Sequence, residues 1–379
     1  MRKVCFVIPA LTGGGAERVM LHILKNIDRT RFMPSLVVFE KKGEMLFDLP
    51  TDIDLSVLKS RRSRYGLQYL IFIKFARLIR KKLPDVIVSF MWYTNVVVVV
   101  GRALSGVQCP IAVSERYGFG PSYEGRLVEL LRRLAVRFLY PRAGMIITNS
   151  RKMGRQLKGM SNVADEKIVT IYNPVDICSM EEKAEEGGDH PWCGSPVPVI
   201  TAVGRLTTQK GFEYLIRAVR LLMSDGVECR LMIMGTGVEE TNLRKLVADL
   251  NLTDRVVFLG FQKNPYKYLA RATVFVLSSL YEGFPNALLE AQVLGVPCVA
   301  TRCPTGPDEI ITDGVNGLLV PPADDEALAG AIKRLLGDKE LRDKFSEAGK
   351  KKAEQFRVEK IVKQYENLIE KVCAGSAGR

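Results

Sequence analysis

The chain has 379 residues, enough for two domains of the usual ~150 residues each, with 47% hydrophobic, 26% charged and 8% aromatic residues. That composition excludes a disordered, collagen-like or coiled-coil protein, and no apolar run reaches the ~18 residues of a membrane span; the densest, Leu67 to Ile79, is broken by Gln68, Lys74 and Arg77. The net charge is +13, and the whole excess lies early: 29 Lys and Arg against 14 Asp and Glu over residues 1–178, then 26 against 28 over 179–379.

In chain order, β-rich runs alternate with helical patterns. The first half predicts strand 3–8, helix 16–27, strands 35–40 and 54–58, helix 66–82, strand 86–90, helix 94–104, strand 110–114, helix 126–139, strand 144–148, helix 151–158 and strand 168–171. The runs Val86-Ile87-Val88 and Met145-Ile146-Ile147 read as strands covered on both faces, hence a parallel sheet. Residues 179–196, rich in acids, Gly and Pro, read as a linker between a domain at 1–178 and one at 197–357. The second domain predicts strand 197–203, helix 211–224, strand 229–234, helix 238–250, strand 255–259, helix 265–271, strand 274–278, helix 286–294, and strands 297–301 and 317–320. Helices near 324–336, 339–354 and 358–373 close the chain, the last expected to pack back on the first domain. Two consecutive βαβ domains imply two doubly wound Rossmann-like sheets facing each other across a cleft, with ligands at the strands' carboxyl ends.

The N-terminal Met1-Arg2-Lys3 runs straight into strand one with no cleavage site of a signal peptide. The eight cysteines form no Cys-x-x-Cys pair and read as buried thiols of a reducing, cytoplasmic setting. The early basic charge implies an anionic partner. Residues 61–82 carry Arg61, Arg62, Arg64, Lys74, Arg77, Arg80, Lys81 and Lys82 without an acid. In 126–139, Leu127, Leu130, Leu131, Leu134 and Phe138 make a stripe with Arg126, Arg133 and Arg137 facing away. Two readings stay open: surface helices that bury their stripes at home, or a peripheral contact with the anionic inner face of the plasma membrane. Nucleic acid is not expected, because zinc-finger spacing and aromatic–basic platforms are missing.

Three stretches could carry chemistry. The loop Thr12-Gly13-Gly14-Gly15-Ala16-Glu17-Arg18 follows strand one and opens a helix, so its backbone can approach an anion. In Val203-Gly204-Arg205-Leu206-Thr207-Thr208-Gln209-Lys210-Gly211, Arg205 and Lys210 lie at a strand's carboxyl end beside a helix start, as a diphosphate clamp requires. In Tyr281-Glu282-Gly283-Phe284-Pro285-Asn286-Ala287-Leu288-Leu289-Glu290, open amides of Asn286, Ala287 and Leu288 would lie between two carboxylates. Glu290 sits amid apolar residues and needs a polar partner such as a sugar diol.

Glu282-x7-Glu290, with Gly204-Arg205-Leu206, Lys210-Gly211, the Gly13–Gly15 loop and Ile171-Tyr172-Asn173-Pro174-Val175-Asp176, resembles glycosyltransferase family 4, the retaining nucleotide-sugar enzymes of the GT-B fold. Cys303-Pro304-Thr305-Gly306-Pro307-Asp308-Glu309 and Asp313-Gly314-Val315-Asn316-Gly317 are similar to its bacterial surface-polysaccharide members. The resemblance implies that Glu282 contacts the transferred sugar and Glu290 the ribose, and that Arg205 and Lys210 neutralise the diphosphate. It likewise implies that Asn286, Ala287 and Leu288 present amides and that Gly14 and Gly15 approach the donor phosphate. The family often has a histidine after a first-domain strand; His22 and His190 lie elsewhere, and Glu115 or Arg116, in Val113-Ser114-Glu115-Arg116-Tyr117, stands at the matching turn. No cofactor or metal is expected, protein cations replacing one. Asp52-Ile53-Asp54 resembles the Asp-x-Asp metal motif of another glycosyltransferase fold but precedes a strand instead of following one.

The expectation is a retaining transferase moving a hexose or N-acetylhexosamine from a UDP-linked donor to a growing, lipid-linked glycan. A sugar-nucleotide epimerase of the same architecture and an inactive sugar-nucleotide-binding partner subunit are the alternatives.

Overall fold

The computed structural model describes residues 1–58, 70–116 and 126–375. Its elements in chain order are β1 (Arg2–Ile8), α1 (Gly15–Asn26), β2 (Phe32–Val38), β3 (Asp54–Val57), α2 (Leu70–Lys82), β4 (Val86–Phe90), α3 (Trp92–Ser105), β5 (Ile111–Glu115), α4 (Arg126–Phe138), β6 (Met145–Thr148), α5 (Arg151–Met160) and β7 (Ile168–Thr170). There follow α6 (Ile177–Glu185), β8 (Val199–Val203), α7 (Phe212–Ser224), β9 (Arg230–Met234), α8 (Glu240–Asp249), β10 (Val256–Gly260), α9 (Tyr266–Leu269), β11 (Val274–Leu277), α10 (Asn286–Val293), β12 (Cys298–Thr301), α11 (Pro307–Ile310) and β13 (Leu318–Val320). The chain closes with α12 (Asp325–Gly337), α13 (Lys339–Ala353) and α14 (Val358–Ala374). Residues 66–69 of the expected helix 66–82, together with Arg61, Arg62, Arg64 and Tyr117, lie outside the described residues.

The chain divides into two units, Met1–Pro174 with Val358–Arg379, and Val175–Arg357. The first holds a 7-stranded sheet in the order β3-β2-β1-β4-β5-β6-β7, all pairs parallel. Side chains alternate across a strand, and here they feed two cores. Val4, Phe6 and Ile8 of β1 join α1 and α14 on one face. Cys5 and Val7 join α2, α3, α4 and α5 on the other. Ile361, Tyr365 and Ile369 fix α14 in the first core. Its buried Glu366 pairs with Arg31 at 3.0 Å and accepts the Asp28 amide at 2.9 Å.

The second unit holds a 6-stranded parallel sheet, β10-β9-β8-β11-β12-β13. In both sheets the chain winds outward on one side, then returns to the centre to wind the other way. The reversal falls between β1 and β4 in the first sheet and between β8 and β11 in the second. The segment read as a linker at 179–196 differs from expectation. The Asp176 side chain accepts the Ser179 amide at 3.1 Å and starts α6, and the segment belongs to the second unit. Among the described residues no helix is long and apolar enough to cross a membrane.

Candidate functional site

The second unit's site is assembled at the carboxyl ends of β8 and β11, on either side of its winding reversal. The turn Thr208–Lys210 is fastened to the segment after β11 by three hydrogen bonds. The Ser278 hydroxyl donates to the Lys210 carbonyl at 2.8 Å, the Leu280 amide to the Gln209 carbonyl at 2.8 Å, and the Gln209 amide group to the Tyr281 carbonyl at 2.9 Å. Gly211 closes the turn at φ +58°, where an added Cβ would lie 2.3 Å from the Ser278 carbonyl oxygen. Only glycine allows that approach.

The consequence is an ion pair between residues 72 apart in sequence: Lys210 Nζ stands 2.5 Å from Glu282 Oε1. The same oxygen accepts the Ser279 hydroxyl at 2.7 Å. Glu282 is 7% exposed, and the Lys210 side chain 18%. A pair this enclosed has to offset the cost of leaving water, which it can do only with its remaining positions hydrogen-bonded. Neighbouring hydroxyls also brace it. Thr301 donates to the Ser279 carbonyl and Thr305 to the Glu282 carbonyl. Sequence reasoning missed Ser279, Thr301 and Thr305, since a hydroxyl's role depends on a neighbour brought up by the fold.

Gly235 and Gly237 were missed as well. An added Cβ at these positions would lie 1.9 Å and 2.2 Å from the carbonyl oxygens of Gly204 and Leu206, so the loop after β9 packs directly on the β8 end. A Gly-x-Gly directly after a β-rich run was the available signal. Arg205 projects from that packed turn as an exposed side chain. Asn286 and Ala287, both half-buried, open α10, while the Leu288 amide donates to the Pro285 carbonyl at 3.1 Å. That is a correction: the Leu288 amide is engaged inside the turn, so the expected trio of open amides is not complete. Glu290 is buried on α10 between Leu289 and Ala291.

In the first unit the glycine loop already holds an anion, its own. The Gly14 amide donates to Glu17 Oε2 at 2.5 Å, and the Thr12 hydroxyl lies 3.1 and 3.2 Å from the two Glu17 oxygens. This is the reciprocal half of a capping box and satisfies one of α1's end amides. Gly15, the first helical residue, is exposed. A phosphate at Gly14 would therefore meet the Glu17 carboxylate.

Glu115 is corrected. It is 0% exposed at the end of β5, paired to Arg132 at 3.0 Å, and accepts the Tyr140 phenol at 2.7 Å. Burial, reinforced by the Glu115 carboxylate, pushes the Tyr140 hydroxyl well above its ordinary range and keeps it a donor. The oxygens of this carboxylate are taken up by Arg132 and Tyr140 of its own unit. Arg116 does not replace it: its guanidinium donates to Asn173 at 2.8 Å and to the Tyr365 hydroxyl, and lies 4.0 Å from the Phe90 ring centre. Asp52 pairs with Arg29 and Asp54 with Lys82, each at 2.5 Å, so the two aspartates of Asp52-Ile53-Asp54 answer different cations.

Two doubly wound units, with charged groups gathered at a sheet's reversal point, define the GT-B class of glycosyltransferases. The family model described as Glycosyl transferases group 1 matches residues 195–352, and that described as Glycosyltransferase Family 4 matches residues 13–178. The chain is a glycosyltransferase and belongs to glycosyltransferase family 4.

It is 28% identical over 370 residues to the N-acetylgalactosamine-N,N'-diacetylbacillosaminyl-diphospho-undecaprenol 4-alpha-N-acetylgalactosaminyltransferase of Campylobacter jejuni, covering 96% of this chain and 98% of that one. Its likeness to the lipopolysaccharide core biosynthesis glycosyltransferase LpsE of Rhizobium meliloti is 40% over 173 residues, 45% of this chain and 49% of the relative. Among solved structures, Anabaena Alr3699/HepE in complex with UDP and glucose superposes with a TM-score of 0.82 at 22% identity, over 98% of this chain and 100% of that one.

Proposed function

We propose that this enzyme transfers a hexose or N-acetylhexosamine, with retention of anomeric configuration, from a UDP-linked donor to a growing lipid-linked glycan in polysaccharide biosynthesis. The observation that carries the proposal is the Lys210–Glu282 pair, set across the reversal between β8 and β11 and followed directly by the first turn of α10. Open α/β sheets bind ligands at this point. The Campylobacter relative, named for a diphospho-undecaprenol acceptor, and the UDP held by the Anabaena protein support the acceptor and donor classes.

In this reading Arg205 and Lys210 take the diphosphate, Glu290 the ribose hydroxyls and Glu282 the sugar, with the backbone of Asn286 and Ala287 near the phosphates. The bond from the anomeric carbon to the diphosphate oxygen breaks, and charge gathers on the leaving phosphate. Cations fixed in place stabilise that charge more in the transition state than in the ground state. The acceptor oxygen attacks the same face, and its proton passes to the leaving phosphate. No metal or cofactor takes part. The work is done at the anionic inner face of the plasma membrane.

The test is a donor panel with lipid-linked acceptors, read by mass spectrometry and by the anomeric coupling of the product. UDP release in step with a product that keeps the donor's anomeric configuration, undiminished by EDTA, is expected. An inverted product, or dependence on an added divalent ion, would overturn the retaining, metal-free reading.

A further inference from the structure

The two basic helices of the first unit, read alike from sequence, are treated oppositely by the fold. In α2 the residues Ile71, Phe75, Ala76 and Ile79 are buried, and only Ile73 among its large apolar residues is exposed. In α4 the stripe is not buried. Leu127, Leu130, Leu131, Leu134 and Phe138 are 68%, 52%, 48%, 42% and 57% exposed. Among the described residues, exposed large apolar side chains elsewhere occur at most one to an element.

At about 100° per residue these five gather on one side of α4. The opposite side holds the helix to its own unit, through buried Val136 and the Arg132–Glu115 ion pair at 3.0 Å. Arg133 and Arg137 border the stripe along one edge; Arg133 pairs with Glu129 at 3.0 Å, and Arg137 lies 5.9 Å from the Phe138 ring centre. Exposed Arg142 donates to the Phe138 carbonyl at the end of the helix. Beside α4 packs α5, whose sequence Arg-Lys-Met-Gly-Arg-Gln-Leu-Lys-Gly-Met contains no acid. Its Arg151 and Arg155 are exposed, and its exposed Lys158 meets Asp165 at 2.7 Å.

We infer that α4 is the membrane-docking element: its leucine–phenylalanine stripe enters the headgroup–acyl boundary of an anionic bilayer, with the arginines of α4 and α5 on the lipid phosphates. An apolar face bordered by cations fits an interfacial helix, because burial of the stripe and attraction of the rim act at one plane. The rim's charge selects an anionic lipid surface over a neutral apolar one, and over a second copy of the same basic face, which would repel it. This rests on the membrane-surface reading above and sharpens it to one helix.

The test uses the full chain and two vesicle types, phosphatidylcholine alone and with about 30 mol% phosphatidylglycerol. The fluorescence of a Leu131→Trp variant should blue-shift and be quenched by brominated acyl chains only with the anionic vesicles. Leu130→Ser/Leu134→Ser/Phe138→Ser, with its folding checked by circular dichroism, should bind them at least about tenfold more weakly, a difference that persists in moderate salt. If the wild type binds neither vesicle, the membrane reading itself fails. If it binds but the triple variant binds equally, or the Leu131→Trp variant binds with its fluorescence unquenched, the charge docks the protein and the assignment to α4 fails. A wild-type dimer in solution that the triple variant converts to monomer would assign the stripe to a second copy and overturn the proposal.

Discussion

Each unit places one buried carboxylate–cation pair at the carboxyl end of its parallel sheet, and the two pairs differ in what they leave open. In the first, Glu115 is fully enclosed by Arg132 and Tyr140. In the second, Glu282 is held by Lys210 and Ser279, but Lys210 reaches solvent and the exposed Arg205 stands on the same turn. The residue types are similar, so chemistry alone does not mark the site. A closed pair stabilises the unit, whereas a pair with an open edge can exchange its partner for a ligand's phosphate or hydroxyl.

The largest expected effect tests the closed pair. Arg132→Ala leaves the Glu115 carboxylate buried without its cation and should cost about 3–5 kcal/mol of unfolding free energy. Substituting Arg132→Met and Glu115→Gln together should recover much of that loss, since a pair removed whole is far less costly than a pair broken. Urea denaturation reads both. A loss below about 1 kcal/mol in Arg132→Ala would mean that water reaches Glu115, and the contrast between the pairs would disappear.

At the open pair the loss should appear in turnover before stability. Lys210→Ala and Arg205→Ala should each lower kcat by ~10²-fold or more, on the scale of removing a group that stabilises developing charge. Lys210→Ala should lose less unfolding free energy than Arg132→Ala, because Glu282 keeps its bond from Ser279 and the space vacated by the half-buried Lys210 opens to water. Steady-state kinetics on a short soluble acceptor, beside the same denaturation experiment, checks this. Near-normal kcat in both variants would remove the clamp.

The two glutamates should separate by ligand. Glu290→Gln should weaken UDP and the UDP-sugar alike, by ~1.5–3 kcal/mol for a hydrogen bond to a charged group. Glu282→Gln should weaken the UDP-sugar more than UDP. Titration calorimetry with both ligands decides it, and equal losses in the Glu282 variant would contradict the sugar contact proposed for it.

Most of the architecture was legible because period-2 and period-3.6 patterns are local. All thirteen described strands fall on expected runs, whereas the reversal points, between β1 and β4 and between β8 and β11, come from the pairing of strands distant in sequence. The motif Glu282-x7-Glu290 was legible because it is contiguous and opens a helix. Glu115 was not, because its partner Arg132 is 17 residues away and arrives only when α4 packs. Glu17 escaped notice because a glycine loop reads as an anion site without saying which anion fills it. The segment 179–196 was misread because acids and glycines outweighed the Asp176 cap. The leucine stripe of α4 marks the limit most clearly. Periodicity tells which face is apolar, never what covers it, and α2 and α4 carry the same signal with opposite outcomes.

The smallest effect expected tests that last pair of helices. On α2, Lys74, Arg77 and Lys81 are exposed, while the apolar stripe beneath them is buried. Their contribution to a membrane contact is then electrostatic only, and it should fade as the Debye length shrinks to ~8 Å near 0.15 M salt and further above it. Lys74→Glu/Arg77→Glu/Lys81→Glu should weaken binding to anionic vesicles a few-fold at low salt and leave it unchanged at high salt. The α4 stripe variant should remain impaired at both, because burial of apolar surface is not screened. Turnover of a short water-soluble acceptor should hold at the wild-type rate in both, since neither helix carries a donor-site group. Should the α2 reversal release the protein at high salt as fully as the stripe variant does, the dominant contact would lie on α2, and the buried stripe beneath it would have to open on the membrane.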